Sequence, residues 1–203
     1  IQKKPRQFIP EQFKLEQWEE LQPFFEDLKN RTIETESEFH RWLNDLSEIQ
    51  AVISEEACWK QIKMTCDTEN KQLEEDFNHF CLHIEPRIKP YADALNKKLV
   101  TSPFLPELNQ ELYFTYLRGV QKEIRLFNEK NIPLQAELSI LAQQYGSITG
   151  KMSVEVDGKE YTLQQAAKFL MLSDRVKRQE VYFKIGDRRC KDEDELNLLF
   201  DQL

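Results

Sequence analysis

Glycine is scarce in this chain, with 5 residues in 203, below the usual share of about 7%. Tight turns are therefore few, and a helix-rich chain is expected. No Gly-x-Gly-x-x-Gly, no phosphate-cradling Gly-Lys-Ser/Thr and no Gly-x-Ser-x-Gly elbow is present, which removes the usual nucleotide-binding and serine-hydrolase signatures. Cysteine is also sparse: Cys58, Cys66, Cys81 and Cys190 form no Cys-x-x-Cys pair. That usage reads as reduced, buried thiols of a cytosolic protein. No apolar run approaches the ~18 residues that a membrane-spanning helix needs. The chain opens on Ile1 without an initiator Met or the apolar stretch of a signal peptide, so its start is expected to be trimmed. Cationic excess is missing too: 28 basic against 36 acidic residues give a net charge of -8. An acidic chain is a poor partner for nucleic acid or an anionic membrane, and neither is expected.

What is present excludes disorder. Hydrophobic residues make up 40% and charged residues 32%, and 203 residues suffice for one domain or one large lobe with its own core. Composition alone names no function.

Helical spacing dominates the pattern. Trp18, Leu21, Phe24, Phe25 and Leu28 mark a helix over 16–31, with Pro23 either kinking it or near its start. Phe39, Trp42, Leu43, Leu46, Ile49 and Ile53 form the clearest stripe, started by Thr35 or Ser37. Ser54 is placed to cap a separate helix with Trp59, Ile62 and Cys66 as its stripe, and Asp67 or Thr68 offers another cap or a continuation. Leu73, Phe77, Phe80, Cys81 and Ile84 follow, interrupted by Pro86 and Pro90, with helix resuming through Leu95 and Leu99. After the 101–106 connector, Leu108, Leu112, Tyr116, Val120, Ile124 and Phe127 read as one helix. Leu134, Leu138, Leu141 and Tyr145 read as the next, loosened at Gly146 and Gly150.

Met152, Val154 and Val156 then alternate with polar residues, and Asp157-Gly158 supplies a two-residue hairpin turn. Thr162-x-x-Gln165 is a capping box that starts a helix burying Leu163, Ala166, Ala167, Leu170 and Met171. Ser173 or Asp174 starts another. The last carries Leu196, Leu199, Phe200 and Leu203 behind an acidic start at Asp192, and that stripe needs a partner beyond it. The fold class is thus mainly α: seven or eight helices with one β-hairpin near residues 151–162.

Two clusters invite a chemical reading. His79 and His83 lie at i and i+4, a spacing that can bind zinc. A zinc peptidase would carry Glu directly after the first His, to activate the metal-bound water. Here that residue is Phe80, no third ligand is evident, and the structural reading of the pair is preferred. His40 reads as a surface residue, and Glu74-Glu75-Asp76 as a solvated helix face. Between Thr162 and Lys191 there are eight basic residues against three acidic, a local +5 in a chain of -8. Arg175, Arg178 and Tyr182, at i, i+3 and i+7, share a helix face there. One reading has this patch meet carboxylates of a peptide or a neighbouring domain. The other, preferred on the residues alone, has it pair with acids of the same fold.

Order and wording along the chain carry more than any single motif. Trp18-Glu19-Glu20-Leu21 precedes Pro23-Phe24-Phe25 and Arg31. Trp42-Leu43 precedes Leu46-Ser47-Glu48, then Thr65-Cys66-Asp67-Thr68-Glu69-Asn70 and Ile84-Glu85-Pro86. Phe127-Asn128-Glu129-Lys130-Asn131-Ile132-Pro133-Leu134 follows, then the Val154–Leu163 hairpin, Asp174-Arg175 and Arg178. In this succession the chain resembles the N-terminal part of the oligoendopeptidase F family, zinc metallopeptidases related to thimet oligopeptidase. The resemblance implies one helical N-terminal lobe over 1–203, ending before the catalytic zinc-binding region and forming a wall of a deep channel. It implies a cytoplasmic parent enzyme that uses zinc to hydrolyse short peptides, with the missing C-terminal catalytic part as partner. Arg175, Arg178 and Tyr182 are the candidate substrate-channel residues. No catalytic or metal-binding position of the family falls on this chain, so no activity and no bound zinc are expected of it alone. The rival readings are a stand-alone helical interaction module and a metal-binding helical protein using His79 and His83.

Overall fold

The structure is a computed structural model that describes residues 5–68 and 70–202. Residues 1–4, Glu69 of the Thr65–Asn70 stretch and Leu203 of the final stripe lie outside the described residues. The chain is mainly α. Its elements are α1 (Trp18–Asn30), α2 (Glu36–Cys66), α3 (Lys71–His79), a π turn (Phe80–Ile84) and α4 (Glu85–Val100). There follow a short 3-10 turn (Leu105–Glu107), α5 (Gln110–Leu126), α6 (Asn131–Gly150), β1 (Ser153–Val156) and β2 (Lys159–Thr162). The last are the single-turn α7 (Leu163–Ala166), a 3-10 turn (Ala167–Met171), α8 (Arg175–Cys190) and α9 (Glu193–Phe200). Eight α-helices of eight residues or more and one hairpin are therefore present among the described residues, as the periodicity predicts. No described helix is long and apolar enough to cross a membrane.

The chain divides into two compact units, one of Ile1–Ile62 and Glu75–Ala136, the other of Lys63–Glu74 and Glu137–Leu203. In the first, α2 begins with a capping box. The Glu38 amide donates to Thr35 Oγ1 at 3.2 Å, and the Thr35 amide donates to the Glu38 carboxylate at 3.1 Å. The face of α2 that carries Phe39, Trp42, Leu43, Leu46, Ile49 and Val52 is buried. Burying side chains of this size stabilises by ~1.5–3 kcal/mol each. Trp42 satisfies its one polar atom by donating its indole N–H to the Leu28 carbonyl at 2.9 Å. Trp18, Phe25 and Tyr91 pack their rings together, with Trp18 to Phe25 stacked at 5.8 Å between centroids.

Several expectations need correction in this unit and its connections. Ser54 caps nothing, because α2 runs unbroken to Cys66. No Gly or Pro lies between Glu36 and Cys66, and a cap worth ~1 kcal/mol does not halt an intact hydrogen-bond ladder. Trp59, Ile62 and Cys66 lie exposed, not buried. The cap of α3 is Asn70, whose side chain accepts the Gln72 and Leu73 amides at 3.2 and 3.4 Å, in place of Asp67 or Thr68. Pro86 and Pro90 do not end the helix. The π turn joins α3 to α4, with the Glu85 amide donating to the Phe80 carbonyl five residues back. Pro86 then falls in the first turn of α4, where its missing N–H is not needed.

The helices expected over 112–124 and 134–145 are present as α5 and α6, but few of the residues that set their period are buried. On α5 the buried residues are Leu117 and Val120, while Leu112 is 76% exposed. Residues spaced by four drift about 40° per step around a 3.6-residue helix, so five of them cannot hold one face. On α6, Leu134, Leu138 and Tyr145 face outward, and the helix passes through Gly146 to Gly150 without loosening.

The second unit packs around the hairpin. β1 and β2 pair antiparallel in the register Val154 with Tyr161 and Val156 with Lys159. Asp157 and Gly158 turn the chain at φ +53° and +72°, the double left-handed conformation that matches strand twist. Met152, Val154, Val156, Leu163, Ala166, Val181 and Ile185 form the core beneath it. The capping box at Thr162 and Gln165 is formed, but it buries only Leu163 and Ala166. Ala167 is exposed, and Met171 is 87% exposed because the helix tightens to a 3-10 turn after one turn. Of the four thiols only Cys81 is buried; Cys58, Cys66 and Cys190 are exposed, against expectation, because their helix faces look outward.

Candidate functional site

The basic segment is carried by α8. Asp174 caps it by accepting the amides of Val176 and Lys177 at 2.9 and 3.2 Å. Val181 and Ile185 anchor its inner face in the hairpin core. The outer face holds Arg175 and Tyr182, both exposed, the latter by 66%. Tyr182 meets the neighbouring Phe183 edge-on at 5.8 Å. Arg178 is half-buried, and its guanidinium donates to the Leu172 carbonyl. One of its five N–H donors is thereby used, and its plane is set. The three candidate residues thus sit on one side of α8, with two of them open to solvent.

Much of the remaining positive charge is paired inside the same unit. Lys177 reaches Asp157 Oδ1 at 2.5 Å and Glu180 at 3.2 Å, and these bonds, that to Asp157 first, raise its pKa. Lys184 bonds Glu180 at 2.8 Å and the Glu155 carbonyl at 3.0 Å. Glu180 is held below the usual carboxylate range by Lys184 and then Lys177. Arg188 pairs with Asp192 at 2.6 Å. Lys168 lies over the Tyr161 ring at 4.4 Å. Such pairing fixes α8 against the hairpin turn, while Arg175 stays exposed.

A cleft of about 470 Å³ lies in the same unit, reached by α8 only through Arg188 and lined by none of Arg175, Arg178 and Tyr182. Gln144, Ser147, Lys151, Arg188, Asp192 and Glu195 are among its lining residues. They come from α6, α8, α9 and the turns that follow α6 and α8, so no spacing in the sequence announces it.

His79 and His83 lie in the other unit, with ring centroids 5.0 Å apart and planes inclined at 45°. His79 is half-buried and His83 exposed. His40 is partly exposed, 3.7 Å from Glu36. No group of three or more His, Cys, Asp or Glu side chains able to hold a metal ion exists among the described residues. Nor does the sequence contain His-Glu-x-x-His. The residues present therefore do not fit a hydrolytic zinc centre.

Comparison with known proteins gives a consistent pattern. The family model of the peptidase M3 N-terminal domain matches residues 8–127. No curated protein matches. A solved structure named as an oligoendopeptidase F shares the fold at a TM-score of 0.85 and 22% identity, over 95% of this chain and 34% of its own. Another, named as an oligoendopeptidase F from Bacillus anthracis str. Ames, gives 0.83 and 20% over 91% of this chain and 34% of its own. PZ peptidase A, solved with an inhibitor, gives 0.82 and 19% over 91% and 33%. The chain spans about a third of the length of these structures.

Proposed function

Because the chain belongs to the peptidase M3 N-terminal domain family, we propose that it is the non-catalytic helical part of a zinc-dependent oligopeptidase acting on short peptides in the cytoplasm. Its role is to wall a channel that admits extended peptides and excludes folded proteins. The zinc, its ligands and the general base would come from the catalytic partner region, where the metal would supply Lewis acidity and an activated water. The α8 surface is the part of this chain that meets substrate. Arg175 and Arg178 pair with peptide carboxylates, and Tyr182 offers an apolar ring beside them. The single observation that carries the reading is the family match over residues 8–127, and the shared fold over 95% of the chain supports it.

The test joins this chain to the catalytic part of its parent. Arg175→Gln, Arg178→Gln and Tyr182→Ala are each expected to raise KM for short acidic peptides several-fold while leaving kcat near its original value. Unchanged KM in all three variants removes α8 from the channel. A parent reading frame without His-Glu-x-x-His removes the peptidase reading itself.

A further inference from the structure

We infer that the cleft lined by α6 and α9 binds a free short peptide, with Glu195 holding its ammonium and Lys151 its terminal carboxylate. Gln144, Ser147 and Ile148 on α6, and Lys151 just after it, are spaced to share one helix face. Glu195 and Leu199 on α9, and Gln202 just after it, share another. The space of about 470 Å³ is bounded by these two faces.

The charges of the lining leave one cation and one anion open. Arg188 and Asp192 bond each other at 2.6 Å and so neutralise each other. Lys151 and Glu195 are exposed, and among the described residues neither has an ion-pair partner. A free peptide carries the complementary pair, an ammonium at one end and a carboxylate at the other. A polyanion would meet the Glu195 carboxylate, and a simple cation the Lys151 ammonium, so both are disfavoured.

The rest of the lining suits what lies between the two ends of a peptide. Gln144 and Gln202 each bring a side-chain amide that donates and accepts, as a peptide bond does. The Ser147 oxygen already accepts from Gln143 Nε2 at 3.0 Å, which leaves its O–H as a donor. Leu199 is buried and Ile148 packs against the hairpin core, so small apolar side chains find an apolar base. The volume lies within the ~300–1,000 Å³ of small-ligand pockets. Seven residue steps along a helix cover about 10 Å, the reach of about three extended residues. A tripeptide therefore matches the cleft in length as well as in charge.

The test is an amide NMR titration of the 203-residue chain with free trialanine and with its N-acetylated and C-amidated forms. Free trialanine is expected to shift residues 144–151 and 195–202 first. Exposed ion pairs contribute modestly, so blocking either end is expected to weaken binding about two- to fivefold. In Glu195→Gln acetylation is expected to cost nothing further, and in Lys151→Gln amidation likewise. Both side chains are exposed, so both variants fold. Equal affinity for free and end-blocked peptide, shifts centred on Arg175 and Tyr182, or no shift at tens of millimolar peptide would each overturn the site. So would shifts that vanish once the chain is joined to a metal-free catalytic part, since that part would then fill the cleft. Binding to this chain needs no peptidase activity, so the cleft and the peptidase reading can fail separately.

Discussion

Lys98 Nζ donates to the Arg31 carbonyl at 2.6 Å. The same ammonium also reaches the carbonyls of Leu28 and Lys29 at 2.8 and 3.0 Å. All three carbonyls belong to the C-terminal end of α1, where a helix leaves acceptors without partners and carries partial negative charge. A lysine from α4 thus caps α1. Burial, aided by the charge of Arg31, lowers the Lys98 pKa, which shows how far this ammonium has been drawn from solvent. Lys98→Met keeps the stem and removes the donors. It is expected to destabilise the chain by about 1.5–3 kcal/mol, the range for hydrogen bonds to a charged group. Urea unfolding checks this, and an unchanged midpoint would show that water replaces the ammonium without loss.

Glu48 does the converse for the segment before α1. Its carboxylate accepts the amides of Gln7, Phe8 and Ile9 at 2.9, 2.8 and 2.7 Å. Burial pushes its pKa up, but the three amides and Arg6 outweigh it, and the net shift is downward from 4.5. A depressed carboxylate contributes stability that is full above its ordinary pKa and fades as pH falls through the folded value. Glu48→Gln is therefore expected to cost about 1–3 kcal/mol at neutral pH and progressively less below pH 4.5. Unfolding curves of both proteins at neutral and acid pH decide it; a gap that stays constant with pH would contradict the carboxylate's role.

These two contacts also mark the limit of what sequence patterns convey. Period and turn chemistry are local, so the Phe39–Ile49 stripe, the Asp157-Gly158 turn and the Thr162–Gln165 box were all legible. Lys98 over the end of α1 pairs an ammonium with backbone carbonyls 67–70 residues away, and carbonyls carry no residue signature. Arg178 is the same case at the site: its face on α8 follows from spacing, its hold on the Leu172 carbonyl does not. The π turn was hidden because Pro86 and Pro90 suggest interruption, whereas one five-residue bond lets the helix continue. The helix over Leu134 and Leu138 is legible from spacing, but their exposure is not, because periodicity shows that a face is apolar and not what covers it.

The hairpin turn is the sharpest local test. Gly158 sits at φ +72°, and nothing crowds the place a side chain would take. Any cost of substitution is then conformational. Gly158→Val puts a β-branched residue in the left-handed region, with an expected loss of roughly 1–3 kcal/mol. Gly158→Asn, which tolerates that region better, should lose less. Equal melting midpoints for all three proteins would mean that the turn relaxes to another type.

The last expectation tests the proposed role. The His79 and His83 pair has no adjoining base, because the residue after His79 is Phe80, buried and apolar. Lewis acidity without general base and oriented substrate is a small part of hydrolytic catalysis. The purified chain, with or without added Zn2+ or Ni2+, is therefore expected to leave a fluorogenic oligopeptide intact. The His79→Ala, His83→Ala double variant run beside it separates the chain from any contaminating protease. Chelator-sensitive cleavage by the chain that the double variant lacks would make this pair a hydrolytic centre after all, and would end the reading of the chain as a non-catalytic wall.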